Sequence, residues 1–520
     1  MGSRLLHIAV FVAGFTTLGL EMAASRLLGS VFGTTNLVWA NIIGLILLYL
    51  TAGYFLGGRW ADRSPHLTTF YRILAWGAFS AGLVPAVARP VLRFASEAVA
   101  RLDAAVMAGS FLSVLVLFVV PITLLGCVSP FAIRLAIDDR QHAGRVSGRV
   151  YALSTLGSIL GVFLPVLLLI PWLGTALTFL VLSMALLLVA LIGLFRFDRQ
   201  AAWRFSLLLV ILLVVSWLSA VQPLKQAPGQ VYEGESGYNY IQVIEQGQAR
   251  YLLLNEGQAI HSVYSPNQLA TYGTWDYFLA APYFNPVPAG EVPVERLGIV
   301  GLAAGTIAKQ YTQVFGSIPI DGWEIDPEII EVGRQYFAMT EPNLDAIVAD
   351  GRLGLERSQH VYSVIAIDAY RPPYIPWHLT TVEFFSLVHE RLAGNGVLVI
   401  NVGRTPDDRR LIEAMVGTLS QVFASIHVVD VPNTFNSMVY ASVQPTQADD
   451  LRFNADRLAQ AQPGSLLADV LQRAASNLQP TPDSSVVFTD DHAPVEQLVN
   501  SIVINYMLEN SLSFVPEALP

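Results

Sequence analysis

Seven blocks of roughly 20 nearly uncharged residues follow one another before residue 222, at 5–25, 37–57, 71–90, 105–126, 150–170, 175–195 and 204–221. About 20 apolar residues is the length a helix needs to cross the hydrocarbon core of a bilayer. A soluble body buries helices that keep a polar face, and these blocks have none. They specify a transmembrane helical bundle of about seven spans, with the lipid bilayer as its partner. The first block carries Glu21 and Arg26 near its end and lacks a small-residue cleavage site. It therefore reads as a span and not as a cleaved leader.

Arginines fall unevenly between the blocks. Arg59, Arg63 and Arg72 lie between the second and third, and Arg134, Arg140, Arg145 and Arg149 between the fourth and fifth. Arg196, Arg199 and Arg204 lie between the sixth and seventh. The positive-inside rule puts these connections and Arg4 in the cytoplasm. With seven spans the C-terminal half of this multi-pass protein of the cell membrane is then outside; one span more or fewer reverses that.

The apolar excess ends with the blocks. Over the whole chain 53% of residues are hydrophobic and 13% charged, but beyond residue 222 the charge density is that of a soluble domain. A formal charge of -10 leaves no basic stripe for nucleic acid. One cysteine, Cys127, and nine histidines without ligand spacing give no support to a metal site.

Pro223–Gly229 reads as a linker. Alternating apolar and polar residues over Tyr238–Ile244 and Tyr251–Leu254, parted by "EQGQ", predict a hairpin that opens a small β subdomain. Residues 267–284 read as a helix. From Leu297 strand and helix patterns alternate, the mark of an α/β domain with a parallel sheet. In "LGIVGLAAG" a strand runs into a turn through Gly301 and Gly305, with a helix from Thr306. Acids close the next strands: Glu324 and Asp326 in "IDGWEID", Asp350 before Gly351 in "VADGR", and Asp368 in "IAIDAY". Ligands of open α/β sheets lie beyond the carboxyl ends of the strands, which makes these acids candidates for ribose and base recognition. Asp326, just before Pro327, fits a helix N-cap better. The boundaries expected are a bundle over 1–222, a linker over 223–230, a β subdomain with its connecting helix over 231–292, and a Rossmann-type, methyltransferase-like domain with a C-terminal extension over 293–520.

The order of parts over residues 231–405 resembles the spermidine synthase family, the polyamine aminopropyltransferases. "GYFLGGRWADR", "GRVYALSTLGSILG", "IPWHLTTVEFF" and "FTDDHAPVE" resemble its membrane-fused branch. The resemblance implies transfer of an aminopropyl group from decarboxylated S-adenosylmethionine to an amine, with methylthioadenosine as product and no tightly bound cofactor. It implies that Gly301 and Gly305 form the turn against the nucleoside. Glu324 would hold the ribose, Asp350 with Gly351 would meet the adenine, and Asp368 would assist deprotonation of the attacking amine. Asn239, Asp276 and Asp491 are candidates for the amine side, and a second copy of the chain is a candidate partner.

The chain departs from the family where the amine should bind. The family turn has an Asp where this chain has Ala304, and the second acid of the catalytic loop falls on Arg371. The Tyr-Gln before the hairpin reads Tyr238-Asn239, and the Tyr-His-Glu helix entrance aligns loosely with Thr274-Trp275-Asp276. An amine must be bound as a cation and then lose a proton, so its site needs carboxylates. Asp490, Asp491 and Glu496 could restore acidity by folding over the pocket, or could form an exposed acidic turn. Three readings stay open: a divergent membrane-anchored transferase, a nucleoside or polyamine sensor without chemistry, and a transporter-like bundle with a regulatory domain.

Overall fold

The computed structural model describes residues 2–32, 36–99, 105–137, 143–220, 227–255, 259–288, 294–370 and 374–509. Two compact units emerge. One runs to Ala227 and takes in Glu235–Tyr240; the other comprises Pro228–Gly234 and the chain from Ile241 on.

The first unit is helical: α1 (Gly2–Phe32), α2 (Asn36–Arg63), α3 (Leu67–Val99), α4 (Ala105–Gly126), α5 (Val128–Ala136), α6 (Ala143–Leu164), α7 (Ile170–Phe197) and α8 (Arg199–Ala220). Phe70, Phe118, Phe131 and Phe179 fill its interior. Its outer surface is apolar as well: Phe55 is 68%, Trp172 80% and Trp203 73% exposed. Exposed aromatic surface on this scale suits lipid and not water. Small residues let α1 and α6 approach closely. A Cβ on Gly157 or Gly161 would lie 2.1 or 2.2 Å from the carbonyl oxygens of Phe11 and Phe15, the small-xxx-small packing of membrane helices.

Six stretches among the described residues are long and apolar enough to cross a membrane, where the sequence pattern predicts seven blocks. The difference lies in one place. Blocks 150–170 and 175–195 both fall in a single helical run, Ala143–Phe197, of 55 residues, with a π-helical turn at Pro165–Leu169. A straight helix of that length would span about 80 Å, but this run is not straight. Gly174 has φ 77° and ψ 171°, outside any helix. Leu182 and Pro165 both reach the same spot on α1, with Leu182 Cδ1 2.9 Å and Pro165 Cγ 3.3 Å from where a Cβ on Gly19 would be. Residues 17 apart on one straight helix would be about 25 Å apart, so the run doubles back at Gly174.

The second unit holds two sheets. The smaller has four strands in chain order: β1 (Gln230–Glu235), β2 (Tyr240–Gln246), β3 (Ala249–Leu254) and β4 (Ile260–Tyr264). The β2–β3 hairpin pairs Gln246 with Ala249. The larger sheet comprises β5 (Leu297–Val300), β6 (Ile320–Glu324), β7 (Leu344–Val348), β8 (Tyr362–Ile367), β9 (Leu392–Gly403), β10 (Ser425–Asp430), β11 (Asn436–Ser442) and the short β12 (Leu478–Gln479). Its spatial order is β12-β10-β11-β9-β8-β5-β6-β7. β5 through β9 run parallel, while β11 inserts antiparallel between β9 and β10. Apolar cores cover both faces, one around Tyr311, Phe315 and Ile330, the other around Trp323, Phe384 and Met415, which is why these strands read as nearly unbroken apolar runs.

The predicted helix over 267–284 is reduced to α9 (Thr274–Tyr277), which continues as a 3₁₀ stretch, Phe278–Phe284. Pro282 removes a donor within it, and a proline in a helix interior breaks the i→i−4 ladder. Four further helices frame the site: α10 (Thr306–Phe315), α11 (Pro327–Tyr336), α12 (Gly351–Arg357) and α13 (Val382–Arg391).

Candidate active site

The order of strands reverses at β5, which has β6 on one side and β8 on the other. The turn that follows β5 therefore opens at the switch point where α/β sheets bind ligands. Gly301 and Gly305 both have positive φ, 86° and 84°. A Cβ on Gly301 would stand 2.7 Å from the Ala369 backbone, and one on Gly305 2.6 Å from Met339 Sδ. Only glycine meets both demands.

Every N–H of this turn is already used. Gly301 and Leu302 donate to Trp323 O at 3.0 Å, and Gly305 donates to Leu302 O at 3.1 Å. Ala303 donates to Glu324 Oε2 at 2.9 Å and Ala304 to Ser262 Oγ at 3.0 Å. A phosphate cradle needs free N–H groups. The turn offers close backbone approach without them, which suits the sugar and base of a nucleoside.

Glu324 closes β6 and is 8% exposed. Burial pushes its carboxyl up to about 7, against the lowering effect of the Asp326 and Ala303 N–H groups. Asp326 is the N-cap of α11 and accepts from Glu328 N, as its place before Pro327 predicts. Asp350 caps α12 through Leu353 N at 3.1 Å and pairs with His378 Nε2 at 3.0 Å. The His378 hydrogen bond holds Asp350 below the usual carboxylate range. Gly351 brings the start of α12 against β5: a Cβ there would meet Val300 Cγ1 at 2.4 Å.

Asp368 follows β8, its N–H tied to Val300 O at 2.9 Å. Asn401 Nδ2, from β9, donates to its Oδ1 at 3.0 Å. Burial pushes the Asp368 carboxyl up to about 7, opposed by the hydrogen bonds from Asn401 and Trp275. A carboxylate that titrates near neutrality, surrounded by uncharged donors, is suited to exchanging a proton with an amine.

The structure thus gathers Gly301, Gly305, Glu324, Asp350, Gly351 and Asp368 along one edge, the carboxyl ends of β5 to β8. The amine-side candidates have surroundings of their own. Asp276 is wholly buried, with Thr271 N, Thr271 Oγ1 and Gln310 Nε2 on Oδ1, and Tyr272 N and Arg473 Nη2 on Oδ2. Those five donors tie it to its own turn, to α10 and to Arg473. Asn239 lies in the 235–240 segment that groups with the helical unit. Asp491 is exposed in the turn between Thr489 and His492. Arg371 lies outside the described residues. Ala304 is 2% exposed and shares an apolar cluster with Val243, Leu252, Ile329, Val332 and Phe337.

The late acidic segment does fold back, but not as a free acid. Asp490 takes two bonds of 2.7 Å from Arg352 and one of 2.7 Å from Thr381 Oγ1, and the Arg352 bond holds it below the usual range. Residue-by-residue reading passed over His378, Arg352, Asn401 and Asn436. For Asn401 a signal was present: it is the first polar residue after an apolar strand run, as Asp368 is.

Counting from β5, the first seven strands have the order 3-2-1-4-5-7-6 with the seventh antiparallel, the arrangement of a methyltransferase-like α/β domain. The Spermine/spermidine synthase domain family matches residues 317–452, a stretch that contains Glu324, Asp350 and Asp368 and begins after the glycine turn. The C-terminal part of the chain is a spermine/spermidine synthase domain. It is 33% identical over 282 residues to a probable polyamine aminopropyl transferase of Bifidobacterium longum, covering 51% of this chain and 61% of that protein. It is 29% identical over 189 residues to a polyamine aminopropyltransferase of Vibrio vulnificus, covering 35% and 60%. The chain thus spans about three fifths of the length of these relatives. A probable spermidine synthase structure from Corynebacterium glutamicum superposes with a TM-score of 0.39 at 18% identity, over 51% of this chain and 99% of that one.

Proposed function

We propose that the protein is a membrane-anchored transferase that moves an aminopropyl-type alkyl group from a decarboxylated S-adenosylmethionine-type donor to an amine. The amine nitrogen attacks the carbon next to the sulfonium, a C–N bond forms, and the C–S bond breaks with its electron pair going to sulfur. Methylthioadenosine leaves, and the nitrogen gives up a proton to Asp368. The Gly301–Gly305 turn lies against the nucleoside, Glu324 accepts from the ribose hydroxyls, and Asp350 accepts from the adenine amino group. One observation carries this reading: the saturated glycine turn meets, at a single sheet edge, three acids that lie within the stretch matching the Spermine/spermidine synthase domain.

The acceptor side departs from a diamine site, since Ala304 is packed among apolar residues and Asp490 is neutralised by Arg352. The acceptor is therefore not a simple diamine such as putrescine, or the domain binds the nucleoside without turnover. Calorimetry and turnover assays on the full chain in detergent micelles separate these outcomes. Methylthioadenosine should bind, and putrescine should give weak turnover or none. Absence of methylthioadenosine binding rejects the nucleoside site.

For the bundle, we infer seven passes with the C-terminal domain outside. The reversal at Gly174 supports the seventh pass. Ion pairs between Arg72 and Asp198 at 2.6 Å and between Arg134 and Asp62 at 3.3 Å support grouping the arginine-bearing connections at one end.

A further inference from the structure

Asp368 does not stand alone at the end of β8. Asn401 Nδ2 donates to its Oδ1 at 3.0 Å, and Asn436 Nδ2, from β11, donates to Asn401 Oδ1 at 2.8 Å. A carboxamide has one donor end and one acceptor end. Because Asn436 occupies the acceptor end of Asn401, the donor end must face Asp368. An N–H facing a carboxyl favours its ionised form; a carbonyl facing it would favour the protonated form, which can donate. We propose that Asn401 and Asn436 are positioning residues that form a carboxamide relay, locking Asn401 in the one orientation that keeps Asp368 able to accept a proton.

The surroundings of Asp368 leave this role to the relay. Tyr370 is the titratable neighbour whose charge couples to Asp368, and burial keeps its phenol neutral. Just after β9, Arg404 is turned to Asp430 and Ser437. On α9, Asp276 is saturated by its five donors, and Trp275 brings an uncharged indole. The carboxamides are thus the adjustable neutral groups around a half-buried acid. Their polarity changes sign if Asn401 turns over.

The inference rests on Asp368 as the proton acceptor, and its test does not require turnover. The full chain in micelles is titrated by difference infrared spectroscopy, following the protonated carboxyl band that disappears in Asp368→Asn. In Asn436→Ala the Asn401 amide is free to turn and present its carbonyl, so the Asp368 midpoint should rise by about one pH unit. Asn401→Leu removes the donor and should raise the midpoint by a similar amount. The double variant should move it no further than Asn401→Leu alone, because Asn436 acts only through Asn401. Retained methylthioadenosine binding certifies that a variant is folded. Midpoints unchanged from wild type in either folded single variant overturn the relay. A wild type that binds methylthioadenosine but transfers nothing to any amine counts against the transferase and leaves the relay standing if the midpoints move.

Discussion

His378 Nε2 lies 3.0 Å from Asp350 Oδ2, so the acid after β7 is held from the loop before α13 as well as by the α12 backbone. By sequence that loop, within "IPWHLTTVEFF", carries only a family likeness. In the folded domain it supplies a partner that orients the Asp350 carboxylate. His378→Ala should weaken methylthioadenosine binding on the order of tenfold, about 1.4 kcal/mol. The preference for methylthioadenosine over its inosine analogue should fall with it. Unchanged discrimination between the two nucleosides, measured by calorimetry, would detach His378 from base recognition.

If Glu324 holds the ribose as proposed, nucleoside binding depends on pH. Its carboxyl sits at about 7 because of burial, so it is largely protonated at pH 6 and ionised at pH 8. Methylthioadenosine affinity should rise as pH rises through 7, since only the ionised form makes charge-assisted bonds, each on the order of 1.5–3 kcal/mol. Glu324→Gln should flatten that profile. Stability runs the other way. A group whose folded value lies above its unfolded one contributes stability that is present below the ordinary Glu range and lost as pH rises through 7. Apparent unfolding temperature should therefore decline over that interval in wild type and less so in Glu324→Gln.

Ala304→Asp tests whether the missing acid can simply be restored. The family resemblance alone predicts better amine binding from Ala304→Asp combined with Arg371→Asp. The packing of Ala304 among Ile329, Val332 and Phe337 predicts that Ala304→Asp by itself buries a carboxylate in an apolar cluster, at a cost of several kcal/mol unless it finds a partner. We expect a lower unfolding temperature and no gain in putrescine binding. A gain in binding at unchanged unfolding temperature would show that this side chain reaches the acceptor pocket after all.

Gly174 occupies a backbone region that is essentially glycine-only. Gly174→Val should cost roughly 1–3 kcal/mol in strain and reduce the yield of folded protein from membranes. Wild-type yield and thermal stability in that variant would mean the reversal tolerates other backbone angles.

Sidedness follows from the number of passes. A reporter fused after Pro520 should signal from the outer face of the cell membrane. A cytoplasmic signal would reject seven passes.

Local chemistry makes the apolar helices of the first unit legible, because crossing a bilayer demands apolar runs of about 20 residues and the early blocks have that length. The same is true of the α/β alternation, of the Gly301 and Gly305 turn, of the acids ending β6, β7 and β8, and of Asp326 as a cap. In each case the cause lies within a few consecutive residues. Tertiary structure decided what distant residues do to one another. Asp276 and Asp368 look alike as acids in a line of text; five donors hold one in place, while burial pushes the other up to about 7 against one amide and an indole. Asp490 lost its freedom to Arg352, 138 residues away. The Asn436–Asn401–Asp368 chain exists only because β11 inserts beside β9, bringing residues 35 and 33 apart into hydrogen-bond reach. Periodicity and turn chemistry are properties of neighbours in sequence; burial, pairing and the charge state of a carboxyl are set by neighbours in space.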